Sequence, residues 1–521
     1  MASGSDVGAD RGMPGGSAVD PGLLRAAVAT LAPALPLLRE LGERFAAAGY
    51  ELALVGGPVR DAFLGRTAPD LDFTTDASPD DTLAVIRGWA DTHWEIGRDF
   101  GTIGLRKGDA LIEITTYRFD VYDRATRKPV VAFGDSLAAD LVRRDFTVNA
   151  MALRLPSLEF VDLHGGLADL AAGRLRTPAT PEESFADDPL RMMRAARFAA
   201  QLGFVVAPEV YAAMSARAST LAMVSAERVR DEFVKLVSAP DPRQGLTLLV
   251  DTGLSDVFLP ELSALRLEVD EHHRHKDVYE HSLTVLEQAI ALEGSTPASR
   301  AGLRVGTTGM PGGDGADGDG TAYPVVESPD LVLRLAALLH DVGKPATRRF
   351  EAGGSVSFHH HELVGARMVA MRLREMRFDK ETIKAVARLV ELHLRFHGYG
   401  TGQWTDSAVR RYVTDAGPLL ERLHLLTRSD CTTRNARKAA RLARTYDELE
   451  LRIARLAVEE ELAAVRPELN GHEIAAVLGI APGPVLGQAY TFLLGLRLDE
   501  GPIGKDAAAE RLRQWWAQRD A

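Results

Sequence analysis

The sequence holds a single cysteine, Cys431, so no disulfide can close within its 521 residues and a disulfide-stapled secreted scaffold is excluded. No run of about 18 apolar residues occurs, so nothing matches the length a helix needs to span a bilayer. The opening stretch, MASGSDVGADRGMPGGSAVD, has no basic start before an apolar segment and no helical period. Residues 1–22 therefore read as a disordered leader and not as a secretion signal. Basic charge is in deficit: 61 Lys and Arg against 73 Asp and Glu give a formal net charge of -12. That argues against nonspecific nucleic-acid binding but leaves room for a local basic face. No repeat recurs at a fixed period, so a solenoid is not supported. These absences describe a soluble protein of a reducing compartment, expected in the cytoplasm, with no membrane partner.

What is present divides along the chain, which is too long for one core. Residues 23–180 mix short apolar strands (ELALVGG, DLDFTT, WEIGRDFGTIGLR, ALIEITTYR, EFVDLHGG) with helices, predicting a small α+β head. Beyond about Thr180 strand signals nearly vanish, and Ala, Leu, Arg and Glu at helical spacing predict an all-α remainder. It is read as a neck over 181–270, a body over 271–435 and a tail over 436–521. Residues 294–328, containing GMPGGDGADGDG, are too rich in Gly and Asp to pack and read as a disordered insertion.

Chemistry concentrates in the head. Gly56-Gly57 ends a strand and opens the helix VRDAFLG, with Arg60 one turn in; bare backbone, free N–H groups and a guanidinium fork suit a triphosphate, although an ordinary strand-to-helix turn gives the same pair. In PDLDFTT, Asp70 and Asp72 leave the same face of a strand, and two adjacent carboxylates repel unless a cation lies between them. Hard oxygen ligands suit Mg²⁺, which supports nucleotidyl transfer. Glu113 on a later strand is a possible third acid, or simply an exposed glutamate. In LVRRDFTVNAM, Arg143 and Arg144 can clamp phosphates and Asp145 can accept a ribose hydroxyl; a surface salt bridge is the alternative. In ADDPLRMMRAARF, Asp188, Arg191, Arg194 and Arg197 recur every three residues, predicting one helix face. Cytosine and adenine both present an amino donor beside an unprotonated ring nitrogen. Asp188 with Arg191 complements that pattern, whereas guanine and uracil oppose it. A solvated helix with internal ion pairs is the plainer reading.

Taken in order, GGPVRD, DLDF, RRDFTVNAM, DLHGGLADL and DDPLRMMRAARF resemble the successive motifs of class II CCA-adding tRNA nucleotidyltransferases, a branch of the polymerase-β-like superfamily. The resemblance implies a polymerase-β-like catalytic head with metal ligands at Asp70 and Asp72. It also implies nucleotide contacts at Gly57, Arg60, Arg144, Asp188, Arg191, Arg194 and Arg197, with CTP, ATP and tRNA as partners. Asp162 and the Gly165-Gly166 turn would join head to neck. Asp187 departs from the family, which usually has glutamate there. Bacterial poly(A) polymerases share the head, but Phe100-Gly101-Thr102 is similar to a turn of the CCA enzymes. DVYDRATRKPVVAF, ending at Phe133, resembles the loop that helps complete CCA addition.

The helical half carries a second constellation. His340-Asp341 close an apolar helix just before Gly-Lys-Pro, with His281 ahead and His361, His393 and Asp430 after. Mixed imidazole and carboxylate suit a divalent transition metal. The ordered set looks like an HD-type phosphohydrolase site, which implies action on cyclic or terminal phosphates of RNA ends; a degenerate HD fold kept as scaffold is the alternative. After it, Arg434, Arg437, Lys438, Arg441 and Arg444 share one helical face with no acid among them, a surface on which an RNA backbone could lie. Two readings from other classes compete with nucleotide addition: an HD phosphohydrolase whose head only binds a regulatory nucleotide, and an RNA-binding scaffold.

Overall fold

The computed structural model describes residues 19–121, 130–133, 136–267, 277–296, 325–351, 356–398, 404–433, 435–460 and 466–519. It divides into two compact units, Met1–Val224 with Gln244–Leu254, and Ser225–Arg243 with Ser255–Ala521.

The first unit opens with α1 (Pro21–Thr30), so a helix capped by Asp20 begins inside the stretch read as a leader. In α2 (Leu35–Ala47), Leu38, Leu41 and Phe45 recur on one face and are fully buried. Each such side chain contributes roughly 1.5–3 kcal/mol of burial. Among the described residues no single helix is long and apolar enough to cross a membrane; α1 and α2 reach that composition only as a pair bent by 100°.

Behind α2 lies a seven-stranded sheet built from β1 (Leu52–Val55), β2 (Asp70–Thr75), β3 (Thr92–Trp94), β4 (Thr102–Lys107), β5 (Ala110–Thr116), β8 (Met151–Leu155) and β9 (Glu159–Asp162). Its order is β3-β4-β5-β2-β1-β8-β9, and only β2 and β5 run parallel. A separate hairpin pairs β6 (Arg118–Val121) with β7 (Val130–Phe133). The segment 122–129, within the loop compared above to that of the CCA enzymes, lies outside the described residues. The run WEIGRDFGTIGLR is not one strand: a 3₁₀ turn over Arg98–Phe100, closed by Gly101 at φ 76°, separates β3 from β4.

After the sheet, α6 (Gly166–Ala171) is tied down at its start by Asp162, whose carboxylate accepts the N–H groups of Gly166 (2.8 Å) and Leu167 (2.9 Å). Asp169 on the same helix is fully buried and accepts from Thr147 Oγ1 (2.7 Å), Arg174 Nε (2.8 Å) and Arg176 Nε (2.9 Å). Two further helices follow, α7 (Pro181–Asp187) and α8 (Leu190–Leu202).

In the second unit the helices Val278–Leu292, Leu331–Leu339, His361–Glu375, Lys380–Leu392 and Leu420–Ser429 pack around a core that includes Leu283, Leu286, Leu335, Leu338, Leu389 and Leu426. The 25-residue helix Ala436–Glu460 comes next, followed by Gly471–Leu478, Pro484–Glu500 and Lys505–Ala517, which close on Ile474, Ala489, Leu493 and Leu512. Of the stretch 294–328, residues 297–324 lie outside the described residues.

Gly166 admits no side chain: an added methyl carbon would stand 2.2 Å from the Thr147 carbonyl oxygen. Gly166→Ala is expected to lower unfolding stability by about 1–3 kcal/mol, read as the urea midpoint; a midpoint equal to the parent protein's would contradict this packing.

Candidate functional site

In β2, alternation buries Leu71 and Phe73 and leaves Asp70 exposed and Asp72 half-buried on the opposite face. The parallel pairing sets Asp72 directly beside Glu113 of β5, so Glu113 joins the two aspartates on one face. Burial pushes the Asp72 carboxyl above the usual carboxylate range; Glu113 and Asp70 push the same way, and Arg144 and Arg194 pull it back. Three acids crowded on one face, one of them resisting ionisation, fit a divalent cation.

The turn between β1 and α3 (Gly57–Phe63) borders this face. Gly56 adopts φ 74°, and a methyl group there would lie 3.3 Å from Arg144 Nη1 and 3.8 Å from Asp72 Oδ2. Arg144 is held by Asp140 Oδ2 at 3.0 Å, at the end of α5 (Leu137–Val142). Arg60 is buried: it donates to Asn149 Oδ1 (2.7 Å) and to Asp61 (2.9 and 3.0 Å). Its fork is therefore engaged by protein oxygens.

Asp145 differs from its ribose-binding expectation. It is almost fully buried and accepts from Arg194 Nε (2.7 Å), Asn149 Nδ2 (2.9 Å) and the Phe146 N–H (2.8 Å). Burial alone would raise its pKa, but these donors outweigh it and bring it to about 2. It works as a structural anchor for the surrounding cations.

The base-reading stretch needs one correction. Asp188 is not on the helix; it sits in extended conformation between α7 and α8, and α8 starts only at Leu190. The reason is Pro189, which disfavours helical backbone at the residue before it. Asp188 caps locally, accepting the Leu190 N–H at 3.1 Å. Arg191, Arg194 and Arg197 do lie on α8. Arg191 donates to Ser184 Oγ (2.9 Å), the Ser184 carbonyl (3.3 Å) and the Arg143 carbonyl (2.6 Å). Phe198 is a residue that motif reading missed: Arg197, Arg60 and Arg194 stack about its ring at 4.2, 5.2 and 5.5 Å. An aromatic four residues after Arg194 in a basic helix was the available signal.

In the second unit, two groups of three ligands have atoms close enough to share an ion: His281, His340 and Asp430, and Asp341, His361 and His393. Within the first, His281 Nε2 lies 2.9 Å from Asp430 Oδ1 and 3.3 Å from His340 Nε2. Asp341 links the groups, 3.2 Å from both His340 Nε2 and His361 Nε2. Three of the imidazoles are oriented the same way: Nδ1 of His340, His361 and His393 meets the carbonyl three residues earlier, at 2.9, 2.9 and 2.6 Å. That contact fixes Nδ1 as the donor and turns the Nε2 lone pair inward, the arrangement metal-bound histidines use. Nε2 of His393 is buried with no hydrogen-bond partner. His340, His393 and Asp430 each cap the C-terminus of a helix, so three negative helix ends converge on these atoms. Burial depresses the His393 pKa to about 3, whereas at His340 the Asp341 and Asp430 carboxylates overcome burial and raise it to about 9. The donors, and the carbonyls that orient three of them, fit a divalent cation. Motif reading also missed two supporting residues, Lys344, 2.8 Å from Asp341 Oδ2, and Thr432, 3.2 Å from His281 Nδ1.

With this geometry in view, residues 52–176 match the poly A polymerase head domain, 203–265 the probable RNA and SrmB-binding site of polymerase A, and 278–457 the HD domain. The A-adding tRNA nucleotidyltransferase of Deinococcus radiodurans is 32% identical over 479 residues, which is 89% of this chain and 95% of that enzyme. The chain belongs to the tRNA nucleotidyltransferase family. Its enzyme class is thus nucleotidyltransferase. The CCA-adding enzyme of Levilactobacillus brevis is 41% identical to this family member over 224 residues, covering 43% of the chain and 55% of that enzyme. Among solved structures, the Bacillus stearothermophilus CCA-adding enzyme in complex with CTP shares the fold, with TM-score 0.59 and 23% identity over 94% of this chain and 98% of that one. The Thermotoga maritima CCA-adding enzyme complexed with tRNA also does, with TM-score 0.53 and 17% identity over 96% of each chain.

Two predictions follow from the geometry of this tRNA nucleotidyltransferase. Asp145→Asn is expected to cost about 1.5–3 kcal/mol at neutral pH, towards the lower end because Arg194 is partly exposed. The folded pKa of Asp145, about 2, lies below the unfolded value of about 3.9. Its contribution is therefore complete above that unfolded value and lost as pH falls through the folded one. Urea titrations at stepped pH should show the gap between parent and variant closing across that window; a pH-independent gap would count against the anchor. At the HD site, a methyl at Gly343 would stand 2.1 Å from the His361 carbonyl oxygen and 2.7 Å from the Gly365 nitrogen. Gly343→Ala should displace His361 and reduce the Mn²⁺ retained per chain after equilibrium dialysis; retention equal to the parent's would contradict a ligand role for His361.

Proposed function

We propose that this enzyme completes tRNA 3′ ends in the cytoplasm, adding C, C and A from CTP and ATP without a nucleic-acid template and releasing pyrophosphate. The observation that carries the reading is the same-face acid set of Asp70, Asp72 and Glu113, bordered by the Gly56-Gly57 turn and by Arg144. In this reading Asp70 and Asp72 hold Mg²⁺, which when bound stabilises charge developing on the α-phosphate and on pyrophosphate. Gly57 brings bare backbone to the triphosphate, and Arg144 adds positive charge. Arg60, Arg194 and Arg197 form a cationic wall about Phe198. Asp188 accepts from the exocyclic amine of C or A, and Arg191 donates to the adjacent ring nitrogen. Ser184 and the Arg143 carbonyl preset that guanidinium, taking three of its five N–H groups. The 3′-hydroxyl oxygen bonds to the α-phosphorus, the bond to pyrophosphate breaks, and the hydroxyl proton leaves to solvent.

A-addition alone is the second reading, favoured by the near full-length match to an enzyme named for it. The two ligand triads also support a hydrolase activity of the HD domain on RNA end phosphates. There a water oxygen would bond to phosphorus, the bond to the leaving ribose oxygen would break, and that oxygen would take a proton.

The test uses tRNA transcripts ending before CCA, after C and after CC, with CTP, ATP or both, followed by 3′-end sequencing. Ordered C, C, A with termination is expected, and loss of more than about 10²-fold in Asp70→Ala and Asp72→Ala. Incorporation of A only on the CC-ended transcript would select the second reading. Long A tails on unrelated RNA would overturn both.

A further inference from the structure

The chain that leaves the HD site carries a run of basic residues. Asp430 ends the helix Leu420–Ser429, Thr432 bonds His281, and the helix Ala436–Glu460 begins four residues later. On its first turns Arg437, Lys438, Arg441 and Arg444 are exposed, and none pairs with an acid among the described residues. Elsewhere in this unit some exposed cations are paired, Arg411 with Asp499, Lys505 with Glu473 and Arg511 with Glu500, and others such as Arg367, Arg374, Lys380 and Lys384 are not, but among the described residues these do not form a run of four on one helix face. Farther along the same helix the pairing resumes, Arg452 with Asp406 and Arg455 with Glu459. Along this helix the uncompensated charge is thus confined to the end that follows Asp430 in the chain. The HD-domain match runs to residue 457 and includes these turns.

We propose that this stripe is the RNA track of the HD site: it holds the backbone of a single strand whose terminal phosphate enters the metal cluster. This rests on the hydrolase reading above. The stripe then makes the site prefer polynucleotide ends over mononucleotides, because only a chain offers further phosphates for the four cations. Single-stranded RNA is the occupant that fits, being a polyanion with its reacting group at an end. The stripe is thereby assigned to the hydrolytic site and not to nucleotide addition.

The test compares the parent protein with a variant carrying Arg437→Ala, Lys438→Ala, Arg441→Ala and Arg444→Ala, both as full chains in Mn²⁺. The substrates are a 12-nucleotide RNA ending in a 2′,3′-cyclic phosphate and the mononucleotide 2′,3′-cyclic AMP. KM for the oligonucleotide should rise by about tenfold or more, and its log–log salt dependence should flatten by about 2–3. kcat on the oligonucleotide and kcat/KM on the mononucleotide should stay within about twofold, which also shows that the variant folds. An unchanged oligonucleotide KM overturns the proposal. So does a loss in tRNA nucleotide addition as large as the loss in oligonucleotide hydrolysis. If the parent hydrolyses neither substrate, the hydrolase reading fails on its own. The track is then judged by binding of fluorescent 12-mers: affinity that depends on the 3′ phosphate and falls in the variant supports it, and affinity indifferent to either overturns it.

Discussion

Asp145 has almost no solvent contact, and its two oxygens receive a guanidinium from α8, an amide from Asn149 and a backbone N–H. Through Asn149 the same network reaches Arg60, whose side chain also lies against Phe198 beside Arg194 and Arg197. Buried Asp145, Asp61 beside Arg60 and the Phe198 face offset the repulsion of these like charges. Removing the anion would leave buried donors without an acceptor, a larger penalty than the loss of one favourable pair. The positions of Arg194 and, through Asn149, of Arg60 therefore depend on one buried carboxylate.

The HD domain meets the opposite problem by different means. Here the excess is negative, from Asp341, Asp430 and three converging helix C-termini, and the neighbours are imidazoles whose charge is conditional. Backbone carbonyls hold the Nδ1 proton of His340, His361 and His393, so whenever these rings are neutral the inward Nε2 atoms are acceptors. Lys344 is a permanent cation held within reach of Asp341. The head offsets its arginines with a fixed carboxylate, whereas the HD cluster has the ligand groups to take its compensating charge from a bound cation.

Local pattern carried much of this. Period-two alternation put Asp70 and Asp72 on one face because it needs only the strand itself, and the apolar helical period ended at His340-Asp341, where two polar groups had no place in a core. What depended on pairing between distant segments was not legible. Glu113 becomes a neighbour of Asp72 only through the register of β2 on β5, and nothing in either segment states that register. Asp145 read as an acceptor for a ribose hydroxyl or as part of a surface salt bridge, since its partner Arg194 on α8 comes 49 residues later. The every-third-residue rhythm from Asp188 was real for the three arginines but was broken by Pro189, a local signal outweighed by the pattern around it. Gly97 and Gly101 likewise divide what read as one strand.

The proposed base-reading chemistry would explain why enzymes named for different products both resemble this chain. Cytosine and adenine offer the same donor and acceptor atoms to a fixed carboxylate and guanidinium, so a pair that accepts one accepts the other on hydrogen-bonding grounds. They differ in size, and that difference is worth little in a pocket able to hold the larger base. The order of addition therefore has to come from where the RNA end lies when the nucleotide is read, a matter of loops and of the helical segments that hold the RNA. In the proposed reading Arg191, preset by Ser184 and the Arg143 carbonyl, would supply the same edge whichever nucleotide is incoming. Enzymes that add C, C and A and enzymes that add A alone can accordingly keep one head. What separates them must lie in how far the growing end can advance past it.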